Sequence, residues 1–299
     1  MSNSQGIILK GVGGLYTVYE DGVLFACSAR GILRKEGTKL LVGDRVRLGE
    51  RDATKGTAVI DEILPRKTSL IRPKVANVDK LFLLVAAGNP KPDLYLVDKM
   101  LIYAEQSGVQ PVLVINKSDQ DEAYARELVA QYKGAAECYI TSASDKKGTQ
   151  AGCEAMNGYT CVLAGQSGVG KSTFLNLASG NEQMATGNLS DKTMRGKHTT
   201  RHAEIFHVKG EYFTRPTFLI DSPGFSMLEL NFEAKDLPHT YPEVYNNQGE
   251  CRFQDCRHLG EPDCFVRGLV EQGIFHPERY KRYCEFYKEL LEKEKNKYR

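Results

Sequence analysis

The chain has 299 residues, 41% hydrophobic and 26% charged, and its 40 basic and 38 acidic side chains give a formal net charge of +2. That length favours about two domains, and the composition is typical of a soluble globular protein. No apolar run approaches the roughly 18 residues that a membrane span requires, and the amino terminus has no signal-peptide pattern. We therefore expect a cytoplasmic protein, a monomer, with reduced thiols and no membrane partner.

The amino-terminal region predicts a small β-barrel of OB type with a basic surface. Five short strand-like stretches are separated by Gly, Asp and Lys turns, a pattern typical of such barrels. Residues 1–75 carry 13 basic against 8 acidic side chains, whereas the remainder carries 27 against 30. This surface suits an RNA backbone, although a solvated basic face with no partner explains the charge equally well. The basic residues concerned are Arg30, Arg34, Lys35, Lys39, Arg45, Arg47, Arg51 and Lys55.

An α/β domain is predicted to follow an ordered linker at residues 65–77. Residues 78–87 form an apolar run typical of a buried strand, and residues 93–107 place their apolar side chains on one helical face. A terminal helix is predicted over residues 277–299 and is expected to fray beyond Leu291, where the chain becomes rich in Lys and Glu. The predicted domains are the barrel at 1–72, the α/β domain at 73–232 and a carboxy-terminal module at 233–299.

A second buried strand leads into the tetrad Asn116-Lys117-Ser118-Asp119, which predicts a guanine-reading turn. Ligands on parallel sheets bind where the strands end. At that edge the Asp119 carboxylate can accept hydrogen bonds from the ring N–H and the amino group of guanine, contacts that adenine cannot make. The aliphatic stem of Lys117 can cover the base. The predicted companions of this turn are Ser142 and Ala143.

Residues 165–172, Gly-Gln-Ser-Gly-Val-Gly-Lys-Ser, have the spacing of a phosphate loop between an apolar strand and a helix. Backbone N–H groups in such a loop point at phosphates, and the following helix adds the positive end of its dipole. We predict that Lys171 reaches the outer phosphates of GTP or GDP and that Ser172 ligates Mg²⁺. The predicted phosphate-contacting residues are Gly165, Gln166, Ser167, Gly168, Val169, Gly170, Lys171, Ser172 and Thr173.

Asp221 ends a third apolar strand, and its carboxylate is predicted to hold the magnesium ion. The backbone of Gly224 is expected to sense the terminal phosphate. Phe225 stands where Ras-like enzymes carry a water-orienting glutamine, so the sequence predicts slow intrinsic hydrolysis.

A short segment before that strand contains two adjacent threonines flanked by histidines. Thr199 and Thr200 are both candidates for the switch threonine that ligates magnesium, and their adjacency leaves the choice between them open. His198 and His202 are candidates to orient the attacking water, and the alternative interpretation makes them solvated loop histidines.

The linear order of these motifs is the most informative feature of the chain. An ordinary Ras-like GTPase has its phosphate loop first and its guanine-reading tetrad near the end. Here the tetrad comes at residues 116–119 and the phosphate loop at 165–172. The order predicts a circularly permuted GTPase domain.

Four metal-ligand residues fall within 14 positions of the carboxy-terminal module: Cys251, Cys256, His258 and Cys264. Three thiolates and one imidazole make a complete tetrahedral set for a structural zinc, with no open position for catalysis. Metal binding of this kind contributes about 10 to 16 kcal/mol to folding. The alternative is a loop with free cysteines.

Taken together, these motifs resemble the ribosome small subunit-dependent GTPase A family of bacterial 30S assembly factors, over essentially the whole chain. The resemblance implies an amino-terminal OB domain that contacts 16S rRNA and a GTP phosphohydrolase that the 30S subunit stimulates. It also implies a role in late maturation of that subunit. By motif it assigns the nucleotide to residues 116–119 and 165–173, and one structural Zn²⁺ to the Cys/His set.

Two functional classes stay open at this point. The first is a slow GTPase whose cycle is triggered by a ribosomal particle, and the set of Lys171, Ser172 and Asp221 favours it. The second is a GTP-gated RNA-binding module in which hydrolysis is incidental, and Phe225 favours that one. No constellation of residues supports an RNA-modifying enzyme.

Overall fold

The computed structural model describes residues 5–31, 33, 39–52, 54–71, 73–179, 203–221, 229–247 and 249–297. The chain forms two compact units, each discontinuous in sequence. The first comprises Met1–Leu81, Cys153–Ala164 and Ser172–Phe225, and the second comprises Phe82–Gly152, Gly165–Lys171 and Ser226–Arg299. Within the described ranges, no helix is both long and apolar enough to cross a bilayer.

The first unit begins with the closed five-stranded barrel that the sequence predicts. Its order is β1-β2-β3-β5-β4, with β3 and β5 parallel and the other pairs antiparallel. Gly13 and Gly14 close one hairpin, and Asp21 and Gly22 the next, all with positive φ as tight hairpin turns require. Alternate side chains such as Val18 fill the interior. The strands are β1 Gly6–Val12, β2 Leu15–Glu20, β3 Val23–Ala29, β4 Arg45–Asp52 and β5 Thr57–Ile63.

The segment after the barrel is ordered, as predicted, and contains a short antiparallel ladder of β6 Ser69–Leu70 with β7 Val75–Ala76. Buried Asn77 follows it. Its side chain accepts a hydrogen bond from the Lys67 amide at 2.8 Å and donates one to the Gly43 carbonyl at 3.0 Å. Asn77 therefore ties the end of the linker to the residues that precede β4.

The first unit also contains three strands of the predicted α/β domain. β11 Thr160–Gly165 is parallel to β13 Thr217–Asp221, and β12 Ile205–Val208 pairs antiparallel with β13. Asp221 is in register with Leu163 on β11. The last residue of β13 therefore lies beside the carboxyl end of β11, where the phosphate loop begins.

In the second unit the strand order is β10-β9-β8, with β9 and β10 parallel. Every residue of β8 is buried, as its apolar run predicts. Asp93 caps the first helix by accepting from the Leu96 amide, and Asp121 caps the second by accepting from the Tyr124 amide. The elements are β8 Lys80–Ala86, α1 Leu94–Gln106, β9 Gln110–Asn116, α2 Glu122–Tyr132, β10 Glu137–Ile140 and α3 Thr149–Glu154, and α4 Lys171–Ser179 follows the phosphate loop.

The carboxy-terminal module, residues 229–297, belongs to the second unit and packs around an aromatic core that includes Phe275, Tyr283 and Phe286. The predicted fraying beyond Leu291 is wrong, because the last helix continues to Lys297. Glu294 accepts a hydrogen bond from the Ala234 amide at 2.6 Å, which holds the charged tail against the module. The elements are a 3-10 helix Ala234–Thr240, α5 Pro242–Tyr245, α6 Phe265–Glu271 and α7 Pro277–Lys297.

A group of buried charges joins α7 to α1 and α5. Arg279 is 1% exposed and donates to Asp98, which is fully buried, and to Glu243 Oε1 at 2.7 Å. Arg282 also donates to Asp98 and reaches the Tyr132 hydroxyl at 3.3 Å. Burial raises the pKa of the Asp98 carboxyl, and the two guanidinium groups oppose that rise. The module is thus attached to the α/β elements by ion pairs shielded from water.

Candidate functional site

The phosphate loop, residues 165–171, follows β11 and precedes α4. Gly165 and Gly170 have φ of 148° and 94°, and neither position has room for a side chain. A Cβ at Gly165 would lie 2.3 Å from the Leu84 carbonyl oxygen, and one at Gly170 would lie 2.4 Å from Asn116 Nδ2. The Lys171 ammonium donates to the carbonyl oxygens of Gly165 and Gln166, both at 2.7 Å. The loop therefore folds tightly around its lysine at the start of α4.

A single buried amide joins three loops. Asn116, 1% exposed, donates from Nδ2 to the Val169 carbonyl of the phosphate loop at 2.9 Å. Its Oδ1 accepts from the Thr141 hydroxyl and from the Ala143 amide, both at 3.1 Å. All of the amide's polar groups face these loops, so the tetrad, the phosphate loop and residues 141–143 are held in one arrangement.

The remaining tetrad side chains present a carboxylate and an ammonium at this edge. Ser142 donates to Asp119 Oδ1 at 2.7 Å, and this hydrogen bond lowers the pKa of the exposed Asp119 carboxyl. The group stays ionised and keeps its acceptor capacity. Lys117 has a positive φ of 60°, and its ammonium donates to the Asn89 carbonyl at 2.6 Å. Ser118 is buried, and its amide donates to the Thr141 carbonyl.

The residues predicted for the nucleotide site divide into three groups. Those of the tetrad, the phosphate loop and the Ser142-Ala143 pair lie together in the second unit. Ser172 and Thr173 are exposed in the first turn of α4, and the backbone of Asp221 ends β13. Outside the described residues lie His198, Thr199, Thr200, His202, Gly224 and Phe225.

Two contacts near the site involve residues that the sequence analysis did not single out. Gln120 Oε1 accepts from the Asn89 amide at 2.9 Å, and Gln166 Oε1 accepts from the Asp93 amide at 3.2 Å. One sequence signal could have pointed to this region. The Gly-Asn-Pro turn at residues 88–90 follows directly after a buried strand, and ligands bind where such strands end.

The Cys/His set of the carboxy-terminal module is gathered into one cluster. One ligand atom from each of Cys251, Cys256, His258 and Cys264 lies within 4.8 Å of all the others. The Cys251 and Cys264 sulfurs are each 3.5 Å from His258 Nδ1. Donors around a tetrahedral metal with Zn–S and Zn–N bonds would be about 3.6 Å apart. Burial lowers the pKa of the His258 imidazole, which favours the neutral form that binds metals. The cluster could hold a metal ion.

Two tyrosines of α7 fix the backbone of this cluster. The Tyr280 hydroxyl donates to the His258 carbonyl at 2.9 Å, and the Tyr283 hydroxyl donates to the Arg257 carbonyl at 3.2 Å. Glu261 accepts from three amides of the same loop, including that of Arg257. The loop that carries His258 is therefore shaped by protein contacts, and it packs directly on the last helix.

The barrel, the phosphate loop after β11 and the tetrad ahead of it in the chain define the class of protein. It is a circularly permuted P-loop GTPase with an amino-terminal β-barrel. A family model described as RsgA GTPase matches residues 63–231, and one described as RsgA N-terminal domain matches residues 5–58. The chain belongs to the RsgA GTPase family, and it is accordingly a GTP-hydrolysing enzyme whose nucleotide is accompanied by Mg²⁺.

Full-length relatives support this placement. A Ruminiclostridium cellulolyticum protein named small ribosomal subunit biogenesis GTPase RsgA is 42% identical over 95% of this chain and 93% of its own length. A Geobacillus kaustophilus protein of the same name is 38% identical, over 97% and 98%. The crystal structure of YjeQ from Thermotoga maritima has a TM-score of 0.79 at 34% identity, covering 96% of this chain and 98% of that one. YloQ, described as a circularly permuted GTPase, has a TM-score of 0.76 at 31% identity, over 97% and 95%.

Proposed function

We propose that this GTPase acts in late maturation of the small ribosomal subunit, hydrolysing GTP slowly alone and faster on the 30S particle. The names of the two relatives at 42% and 38% identity motivate the ribosomal assignment. The observation that carries the nucleotide assignment is the Asn116 amide, which joins the tetrad to the Val169 carbonyl and the Ala143 amide. A site for phosphate alone would not need that link, whereas a guanine nucleotide spans both loops.

In the proposed site, the ionised Asp119 carboxylate accepts from the ring N–H and the amino group of guanine. The Ser142 hydroxyl orients that carboxylate, and the Ala143 region borders the base. The stem of Lys117 covers one face of the ring. The nucleotide-contacting set is Asn116, Lys117, Ser118, Asp119, Ser142, Ala143, Gly165, Gln166, Ser167, Gly168, Val169, Gly170, Lys171, Ser172 and Thr173.

Catalysis in the proposed mechanism is electrostatic positioning of the terminal phosphoryl group. Lys171 would leave its loop carbonyls to neutralise the outer phosphates, and Ser172 and Asp221 would hold Mg²⁺. One of Thr199 and Thr200 would be a further magnesium ligand, and the Gly224 amide would contact the terminal phosphate. His198 or His202 orients the attacking water on the particle, because Phe225 cannot.

The Cys/His cluster in the proposed protein holds one structural Zn²⁺. Three sulfurs and one nitrogen form a soft, complete tetrahedral donor set, which zinc prefers and which leaves no position for substrate. The ion would anchor the loop on α7.

The proposed macromolecular partner is the 30S subunit, contacted through 16S rRNA by the barrel domain at residues 1–72. Arg30, Arg47 and Arg51 already pair with carboxylates of the barrel, so phosphates would have to compete for them. Each phosphate that these side chains neutralise releases counterions, so binding should weaken steeply with salt. The GTPase domain spans 73–232 and the module 233–299, and the protein acts as a cytoplasmic monomer.

Release from purified 30S subunits tests the proposed function. The chain should remain bound to 30S with a non-hydrolysable GTP analogue and leave the subunit after GTP hydrolysis. Equal release with GTP and the analogue would favour the GTP-gated RNA-binding module, for which Phe225 is the motivating observation. Failure to bind 30S with either nucleotide would remove the ribosomal assignment.

A change of base specificity tests the proposed contact between Asp119 and guanine. Asp119→Asn should lose GDP affinity and gain affinity for xanthosine diphosphate, because the asparagine amide can donate to the extra carbonyl of xanthine. Asp121→Asn, which alters a helix cap two residues away, is the matched control and should keep its preference for GDP. Unchanged GDP affinity in Asp119→Asn would contradict the assignment.

A further inference from the structure

Residues 88–93, which we call the bridging segment, connect β8 to the cap of α1. The preceding residue, Ala87, donates its amide to the Asn116 carbonyl at 2.8 Å. Asn89 then uses both backbone polar groups on the base-reading side. Its amide donates to Gln120 Oε1 at 2.9 Å, and its carbonyl accepts from Lys117 Nζ at 2.6 Å. The chain from Ala87 to Asn89 is therefore bound to residues 116–120 at three points.

The end of the bridging segment contacts the phosphate loop. The Asp93 amide donates to Gln166 Oε1 at 3.2 Å, and the Asp93 carboxylate accepts from the Leu96 amide at 3.0 Å, which begins α1. A Cβ at Gly168 would lie 3.7 Å from the Pro90 ring, so that ring lies beside the loop. Six residues thus touch the two halves of the proposed nucleotide site.

The Gln120 side chain lies directly on this segment because Gly88 leaves room for it. A Cβ at Gly88 would be 2.0 Å from Gln120 Oε1 and 2.6 Å from Gln120 Cβ. The requirement for glycine is steric. Gln120 itself is exposed, and its backbone N–H donates to the Lys117 carbonyl, which continues the turn. The amide side chain thus closes a ring of contacts through Asn89 and Lys117.

We propose that Gln120 is a positioning residue for guanine-nucleotide binding. By holding the Asn89 amide it fixes the carbonyl that anchors Lys117, and it sets the distance between the base-reading turn and the phosphate loop. A nucleotide must meet both loops at once, so a preset separation lowers the ordering cost of binding. The inference rests on the proposed nucleotide site and adds a residue that contacts neither base nor phosphate.

A pair of nearly isosteric variants isolates the hydrogen bond. Gln120→Met keeps the length of the side chain but removes the acceptor, and Gln120→Glu keeps an acceptor at the same position. The dissociation constant of GDP should rise about tenfold in Gln120→Met, as loss of one hydrogen bond implies, and stay within about twofold of wild type in Gln120→Glu. The KM for GTP should rise with kcat unchanged, because the contact is the same in the ground and transition states.

A second pair of variants tests the steric requirement for glycine at position 88. Gly88→Ala should displace the Gln120 side chain and weaken GDP binding as Gln120→Met does. Adding Gln120→Ala to Gly88→Ala should cause little further loss, since both changes break the same contact. Additive losses would contradict the proposed contact.

Three controls keep the outcomes distinct. The melting temperature of each nucleotide-free variant shows whether it is folded. Asp119→Ala should abolish GDP binding, which shows that the assay reports the proposed site. If Gln120→Met is then folded and binds GDP as tightly as the wild type, the positioning role is wrong. If the wild-type chain itself failed to bind GDP, the proposed function would fail instead.

Discussion

The carboxy-terminal module lies in the same unit as three loops of the proposed nucleotide site, at residues 116–120, 141–143 and 165–171, but the two regions are held by different interactions. The module is attached to α1 through Arg279 and Asp98, with Glu243 as the second partner of Arg279, and all three are at most 3% exposed. Within the module, tyrosines of α7 hold the cluster loop. In the proposed nucleotide site, the loops are arranged by hydrogen bonds in which at most one partner is charged, and several are made by exposed residues such as Gln120 and Asp119.

This difference separates a fixed region from an adjustable one. Removing one partner of a buried ion pair leaves a charge without compensation and costs roughly 3 to 5 kcal/mol. A hydrogen bond contributes about 0.5 to 1.5 kcal/mol between neutral groups and about 1.5 to 3 kcal/mol when one partner is charged. Loops that bind and release a ligand are drawn from the less stable parts of a protein. We infer that the hydrogen bonds among the nucleotide loops break more readily than the ion pairs that attach the module to α1.

The largest effect should follow removal of the proposed zinc ion from the Cys/His cluster. Metal binding contributes about 10 to 16 kcal/mol to comparable small sites, so chelation or Cys256→Ala should unfold the cluster loop. We expect cleavage by protease within residues 249–264 and loss of about one bound zinc per chain. Cys284→Ala, a half-buried cysteine of the same module outside the cluster, is the control. Full zinc content in Cys256→Ala would contradict the ligand set.

Arg279→Met should cause the next largest loss, roughly 3 to 5 kcal/mol of unfolding free energy, because Asp98 and Glu243 would keep buried charge with fewer partners. Urea unfolding of the variant and the wild type measures this loss of unfolding free energy. Arg252→Met, which breaks an exposed pair with Asp263 in the same module, should cost less than about 1 kcal/mol. Similar costs in the two variants would remove the distinction between the regions.

Asn116→Ala should weaken GDP binding by about 30- to 150-fold, the equivalent of roughly 2 to 3 kcal/mol for three hydrogen bonds that hold the loops. Titration calorimetry gives the dissociation constant. Asn157→Ala removes contacts of an asparagine to Thr214 and Arg215 in the first unit, and it should leave GDP affinity unchanged. A matching loss in Asn157→Ala would mean that the effect is general destabilisation.

The smallest effect concerns the Asp119 carboxyl. Its pKa is lowered by the Ser142 hydroxyl, so the carboxylate persists until the pH falls through that lowered pKa. Ser142→Ala should raise the pKa of Asp119 towards the ordinary value of about 3.9, and loss of GDP affinity should then begin at a higher pH. Carbon NMR titration of the nucleotide-free protein reads the shift. An unchanged pKa would show that the hydroxyl does not stabilise the charge.

The barrel, the permuted GTPase and the cluster could be predicted because spacing and periodicity along the chain report them. The helix Leu94–Gln106 is an example, since the apolar periodicity of residues 93–107 predicts it. The pairing of Asp98 with Arg279 could not be predicted from the sequence, because the partners are 181 residues apart and nothing local distinguishes them from surface charges. Gln120 was missed for a related reason, since its partner is a backbone amide. The last helix persists through Glu294, whose contact with Ala234 overrides the local tendency of a charged end to fray.

The rate of GTP hydrolysis, measured alone and with purified 30S subunits, tests the central claim most directly, with 50S subunits as the control. The account predicts a slow rate alone, a large increase with 30S, and little change with 50S. An equal rate in all three reactions would contradict a GTPase triggered by the small ribosomal subunit.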